Sequence, residues 1–282
     1  MTEVPQSRLR RLHRRAAPTL ANADFLHRRL REELLSRLDF ARLEPRVATD
    51  LGAGTGGAFA ALAARFPGSQ VLGIDHAPEM LLAAGAGQAL RVCGDARRLP
   101  LADQSVDLVF CNLLLAYCHD PVPVLAEIRR VLREPGLCLF STFGPDTLVE
   151  LREAWAEADE HTHVVRFPDM HDLGDLVVRA GLAEPVLDRE TLQVSYDDVS
   201  ALRADLRAVG SINRTAGRNV GLTGRRVGQR FRAAMDRRRD ADGRMVLTVE
   251  VIYGQAWGTA NSPGRDSVET SIPLDTIRRR RN

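Results

Sequence analysis

Hydrophobic positions along the chain follow two rhythms. At 47–51, 70–74, 90–93, 105–111 and 136–142 they form short, nearly continuous apolar runs, as expected of strands buried on both faces of a parallel sheet. Elsewhere they recur every three or four residues. Phe25, Leu26, Leu30, Leu34, Leu35 and Leu38 predict an amphipathic helix over 24–38, ahead of the first strand. Val124, Leu125, Ile128, Val131 and Leu132 predict another over 121–132. Further helices are expected over about 57–66, closed by Pro67-Gly68, and from Pro78, a residue favoured in first turns, to about 84. Two more are expected over 147–158 and over 170–180, the latter capped by Gly181. Residues 1–23 are basic and lack strong periodicity.

Two later strands are predicted, a kinked one over 184–196 and one over 245–257, with a helical insertion at about 197–244 between them. Alternating strands and helices point to an α/β fold: an open, doubly wound, mostly parallel seven-stranded sheet. The expected organisation is a basic segment and cap helix at 1–45, one domain over 46–258 and a solvated basic tail at 259–282. The cap helix reads either as a charged helix packed on the sheet or as a lid over a ligand.

Ligands of such sheets lie beyond the carboxyl ends of the strands, and the chemistry-bearing residues fall there. The first strand runs into Asp50-Leu51-Gly52-Ala53-Gly54-Thr55-Gly56, a turn whose glycines allow a sharp bend and close approach of a ligand to the backbone. Taken alone, this run serves a dinucleotide as readily as S-adenosylmethionine. Three acids narrow the choice. Asp50 suits a ligand ammonium, Asp75 at the end of the second strand suits two ribose hydroxyls, and Asp95, followed by Ala96, suits an exocyclic amine. Together they describe a nucleoside carrying an amino acid, and favour S-adenosylmethionine over NAD. Asn112 ends the fourth strand at the same edge.

Composition removes several classes. The 282 residues are 44% apolar and 27% charged, with a net charge of +2, so no global field for nucleic acid exists. All 39 basic residues are Arg, which coding bias explains more simply than function. Four cysteines without a C-x-x-C pair read as reduced core residues of a cytoplasmic protein, with no metal site expected. No apolar run is long enough to span a membrane. The Arg-rich first 31 residues share the composition of a mitochondrial transit peptide, but the docked helix expected over 24–38 argues against one. Residues 197–244 hold twelve Arg against six Asp, either a docking surface or a solvated helical face.

Over residues 46–146 the acid, glycine turn, second-strand acid and Gly94-Asp95 pair resemble class I S-adenosylmethionine-dependent methyltransferases. Over about 24–257 the resemblance sharpens. Asn112-Leu113-Leu114-Leu115, Phe140-Ser141-Thr142-Phe143-Gly144-Pro145-Asp146-Thr147-Leu148, Phe167-Pro168-Asp169-Met170 and Ile252-Tyr253-Gly254-Gln255-Ala256-Trp257 are similar to the malonyl-acyl-carrier-protein O-methyltransferase family of biotin synthesis. That resemblance implies a Rossmann-like methyltransferase using S-adenosylmethionine, with Asp50, Gly52, Gly54, Gly56, Asp75, Asp95, Ala96 and Asn112 at the cofactor. It implies malonyl-loaded acyl carrier protein as substrate and partner, and an already ionised carboxylate as acceptor, which needs orientation rather than a base. Arg166 is the expected carboxylate-orienting cation, because guanidinium pairs bidentately with carboxylate. Tyr117 and His119 are expected near the acceptor. The chain departs from the family in lacking an early Tyr and in Leu115-Ala116-Tyr117 and Arg133-Glu134-Pro135-Gly136. Residues 23–26 and the run from Gly144 to Leu151 also resemble methyltransferase-like complex I assembly factors of the arginine hydroxylase type. A protein that binds S-adenosylmethionine without methyl transfer is a third reading, and an NAD oxidoreductase a distant fourth.

Overall fold

The computed structural model describes residues 6–260 apart from 86, 88, 212, 214, 216 and 220. Seven strands form one sheet: β1 (Val47–Leu51), β2 (Gln70–Asp75), β3 (Leu90–Cys93), β4 (Val106–Asn112), β5 (Leu132–Phe143), β6 (Ala183–Tyr196) and β7 (Met245–Trp257). Their order is β3-β2-β1-β4-β5-β7-β6, and β7 alone runs antiparallel to its neighbours. The chain leaves β1 toward β2 on one side and later returns to β4 on the other. The order therefore reverses between β1 and β4, which opens a crevice at their carboxyl ends.

Helices cover both faces, because β1, β2 and β4 are apolar on both. On one face α5 (Val122–Val131) and α7 (Met170–Arg179) bury Ile128, Val131, Leu173 and Val177 against Ile74, Val109, Cys111 and Cys138. On the other, α2 (Phe25–Ser36) and α3 (Phe59–Arg65) bury Leu30, Leu34 and Leu62 against Leu108, Phe110 and Leu139. Each such leucine contributes roughly 1.5–3 kcal/mol through removal from water. α4 (Pro78–Ala83) follows β2, with Pro78 in its first turn.

A third core lies beyond β7. There α6 (Val149–Ala156), α8 (Val199–Ala208) and α9 (Arg225–Asp236) bury Ala154, Leu202, Phe231, Met235 and Leu247. Trp155 stacks between His163 at 3.7 Å and Phe231 at 4.0 Å. Arg238 pairs with Glu157 at 2.7 Å, and Arg237 pairs with the same carboxylate.

Several boundaries differ from the expected ones. Residues 6–16 form a helix, α1 (Gln6–Ala16), which the sequence pattern did not announce. Its apolar residues are Leu9, Leu12 and Ala16, too little apolar bulk to stand out among arginines. The helix after β1 starts at Phe59 because positive φ at Gly54 and Gly56 prolongs the turn. β5 begins at Leu132, four residues early. Of the four cysteines, Cys111 and Cys138 are core residues, whereas Cys93 is exposed and Cys118 half-buried. The expected tail lies, from residue 261 on, outside the described residues. No helix among the described residues is long and apolar enough to cross a membrane.

Candidate functional site

A cavity of about 420 Å³ occupies the crevice, within the roughly 300–1,000 Å³ usual for small-molecule sites. Its floor is the glycine turn. Gly52 and Gly54 line it with φ of +77° and +53°. A Cβ at Gly52 would stand 3.0 Å from the Leu114 Cβ, so glycine is needed for the chain after β4 to pack there. At Gly54 a Cβ would meet only Leu20 at 3.9 Å, leaving open space above the backbone for a ligand.

Asp75 ends β2 in the cavity wall. Its Oδ2 accepts the Gly54 amide at 3.0 Å and its Oδ1 the Ala77 amide at 2.8 Å. Each oxygen keeps a lone pair, enough for two ligand hydroxyls. Asp95 and Ala96 line the far end. There Arg97 holds Asp95 through its backbone amide at 2.9 Å and its Nη2 at 2.8 Å, and the hydrogen bonds from Arg97 lower the Asp95 pKa. Leu51, Ile74, Met80 and Leu113 make the walls apolar enough for a planar base.

Asn112 lines the cavity, but its side chain is already engaged. Nδ2 donates to the His27 carbonyl at 3.1 Å, and Oδ1 accepts from Ser141 Oγ at 2.8 Å. The residue thus ties β4 to α2 and β5. Asp50 and Gly56 stand outside the lining. Asp50 is buried, and desolvation is the main cause that pushes its carboxyl up to about 7, with Asp75 adding to the rise and Arg31 opposing it. Arg31 lies on the turn itself, its guanidinium against Gly57.

α1 roofs the cavity with Leu9 and His13. Arg10 Nε donates to the His76 carbonyl at 2.9 Å, and the His13 and His76 rings stack at 4.8 Å with Nδ1 and Nε2 3.1 Å apart. Burial keeps His76 below its usual pKa. Neither α1 nor the histidines were legible in the sequence.

A second cavity of about 150 Å³ adjoins the first. Leu148, Val164, Phe167, Leu202, Leu206 and Leu247 make it largely apolar. His27, Tyr117 and Val209 line both cavities and form the wall between them. Leu113, in the left-handed region at φ +63°, sends the chain after β4 into the short helical turn Leu114–Tyr117 and delivers Tyr117 there. His119 lines the larger cavity only. Arg166 is exposed and lines neither, although Val165 and Phe167 beside it line the smaller.

Other motifs singled out in the sequence do packing work. Glu250, buried, accepts the Asp146 amide at 2.9 Å, and its carbonyl accepts from Thr147 Oγ1 at 2.8 Å; Gly144 is needed because a Cβ would strike the Glu250 carboxylate at 2.5 Å. Asp169 caps α7. Among the described residues no cluster of side chains able to hold a metal ion occurs.

Residues 49–140 match a methyltransferase domain family. The chain is 46% identical to the malonyl-[acyl-carrier protein] O-methyltransferase of Laribacter hongkongensis, over 95% of this chain and 98% of that protein. It is 45% identical to the protein of the same name from Methylovorus sp., over 90% and 89%. Among solved structures, the YcgJ protein of Bacillus subtilis superposes with a TM-score of 0.58 at 17% identity, over 80% of this chain and 98% of that one. A SAM-dependent methyltransferase of Thermotoga maritima gives 0.54 at 17%, over 89% and 100%. At these identities the structural likeness concerns the fold.

Proposed function

Since the chain belongs to the malonyl-[acyl-carrier protein] O-methyltransferase family, we propose that it methylates the free carboxylate of a malonyl group carried on acyl carrier protein, forming the methyl ester used in biotin synthesis. One observation carries the reading beyond the family: a polar-edged cavity and an apolar cavity meet at a wall of three residues, His27, Tyr117 and Val209. A donor in the first and an acceptor in the second face each other there.

The larger cavity fits S-adenosylmethionine. The open space over Gly54, the spare lone pairs of Asp75 and the apolar walls suit a nucleoside, with Gly52, Asp95, Ala96 and Asn112 around it. When bound, S-adenosylmethionine supplies a sulfonium methyl: a carboxylate lone pair forms the new O–CH3 bond as the S–CH3 pair returns to sulfur, and no proton moves. The protein therefore has to align the two partners and exclude water. α1 and α2 roof the site, and Tyr117 stands on the acceptor path. Asp50 and Gly56 act from behind the turn, Gly56 by shaping it and Asp50 by ionising when the donor's ammonium end arrives to offset the burial that holds its pKa up. We assign Arg166 to the rim, where an exposed guanidinium draws in the acidic substrate.

The carrier is acidic in character and meets a basic surface. Arg203 and Arg207 follow the cavity-lining Leu202 and Leu206 on α8, and Arg225, Arg226, Arg230 and Arg232 are exposed on α9. Complementary charge of this kind speeds encounter and fixes orientation. The setting is cytoplasmic, where carrier and donor coexist.

Incubation with labelled S-adenosylmethionine and malonyl-acyl carrier protein, followed by intact-mass measurement of the carrier, tests the reading. A methyl gained by the malonyl form and absent from the acetyl form is expected. Donor binding without transfer would sink it and favour the assembly-factor or binding-protein alternatives.

A further inference from the structure

His27 occupies the wall shared by the two cavities. Its Nδ1 is buried and has no hydrogen-bond partner among the described residues. Burial is the largest influence on the ring and lowers its pKa; Asp24 opposes the shift and Arg31 reinforces it. The imidazole is therefore neutral at pH 7. An unpartnered buried nitrogen beside a cavity is costly and calls for a partner that arrives with a ligand.

The residue is also held firmly. Its carbonyl accepts from Asn112, which Ser141 fixes in turn. Leu30 and Leu34, one and two turns along α2, are fully buried. Three other polar groups of the smaller cavity are committed elsewhere: His163 to Asp159 at 2.8 Å, Asn213 to the Thr162 carbonyl at 2.7 Å, and Thr147 to the Glu250 carbonyl.

Resting on the functional reading above, we propose that His27 is the substrate-orienting residue for the acceptor: its ring donates a hydrogen bond to one oxygen of the malonyl carboxylate and leaves the other facing the donor cavity. A carboxylate entering this apolar junction loses water and needs a replacement donor. A neutral donor supplies one without neutralising the nucleophile. Once esterified, the acceptor carries no charge and the hydrogen bond weakens, which helps the product leave. The same contact selects malonyl over acetyl carriers, which lack the distal carboxylate.

The full-length protein, with His27→Leu and His27→Gln, decides the matter. Binding of malonyl- and acetyl-acyl carrier protein is measured by calorimetry with S-adenosylhomocysteine bound, alongside KM, kcat and separate donor affinity. His27→Leu is expected to lose about ten-fold or more in malonyl affinity, to lose discrimination against acetyl, and to keep donor affinity. His27→Gln, which retains a donor, is expected to recover much of the loss. A Leu variant with unchanged malonyl affinity, or one that loses donor affinity in parallel, overturns the proposal while wild-type activity upholds the functional reading. Wild-type protein that neither binds nor methylates the malonyl carrier overturns both.

Discussion

Asp75 reaches from the end of β2 to accept the Gly54 amide at 3.0 Å, so one carboxylate both holds the glycine turn and lines the cavity above it. Asp75→Ala removes an acceptor for ligand hydroxyls and frees the turn. Donor affinity is expected to fall by about 1–3 kcal/mol, read by calorimetry with S-adenosylhomocysteine. A folded variant with wild-type affinity would show that the ribose is held elsewhere.

Two glycines separate the site from the scaffold. Gly54→Ala puts a Cβ into the cavity from a left-handed backbone, at about 1–2 kcal/mol of conformational cost. It should leave a folded protein that binds donor at least ten-fold more weakly. Gly73→Ala would set its Cβ 2.2 Å from the Phe59 ring, deep in the sheet. Overpacking of roughly 1–3 kcal/mol is expected there, with weakened binding only in proportion to unfolding. Denaturant curves beside binding isotherms check both.

How much of this was legible beforehand follows bulk and repetition. The strands around Asp50, Asp75 and Asn112 were read almost to the residue, since apolar runs between glycine and proline breaks leave few alternatives. Helix α1 is not legible because Leu9, Leu12 and Ala16 are few apolar residues among arginines. His27 was missed for another reason: its neighbours Leu26 and Leu30 announced a helix, and nothing local tells which polar residue faces a cavity built from α8 and the chain after β4. Sites assembled from distant segments have no spacing to read. Arg166 stands out in the sequence by its chemistry alone, and the fold leaves its side chain exposed.

The arginines of the insertion divide by what they touch. Charge reversal at Arg225, Arg226 and Arg230, exposed on α9, is expected to raise KM for malonyl-acyl carrier protein several-fold and to flatten its salt dependence, with kcat unchanged. Reversal of Arg238, which pairs with Glu157 and Glu153, should lower the melting temperature instead. Steady-state kinetics at two ionic strengths and a thermal melt separate the effects.

Asp50 predicts a pH signature. Its folded pKa, about 7, lies above the unfolded 3.8, so the native state holds the proton more tightly and stability falls as pH rises from about 4 to 7. Ionising this buried carboxyl costs roughly 4 kcal/mol. Asp50→Asn should therefore be more stable than wild type at pH 8, with the difference vanishing toward pH 4. Equal unfolding midpoints at pH 8 would contradict the assignment.

The two roof helices are anchored very differently. Helix α2 sinks Leu30 and Leu34 into a main core, whereas α1 rests on a small patch of Ala16, Ala17, Ala77 and Met80 and touches the end of α8 near Gly210. Only α1 can be lifted without opening the sheet. Amides of α1 should then exchange with solvent orders of magnitude faster than those of α2, and a bound donor should slow the former selectively. Turnover would be gated by eleven N-terminal residues, so a carrier seated over α8 would hold the gate shut until it departs.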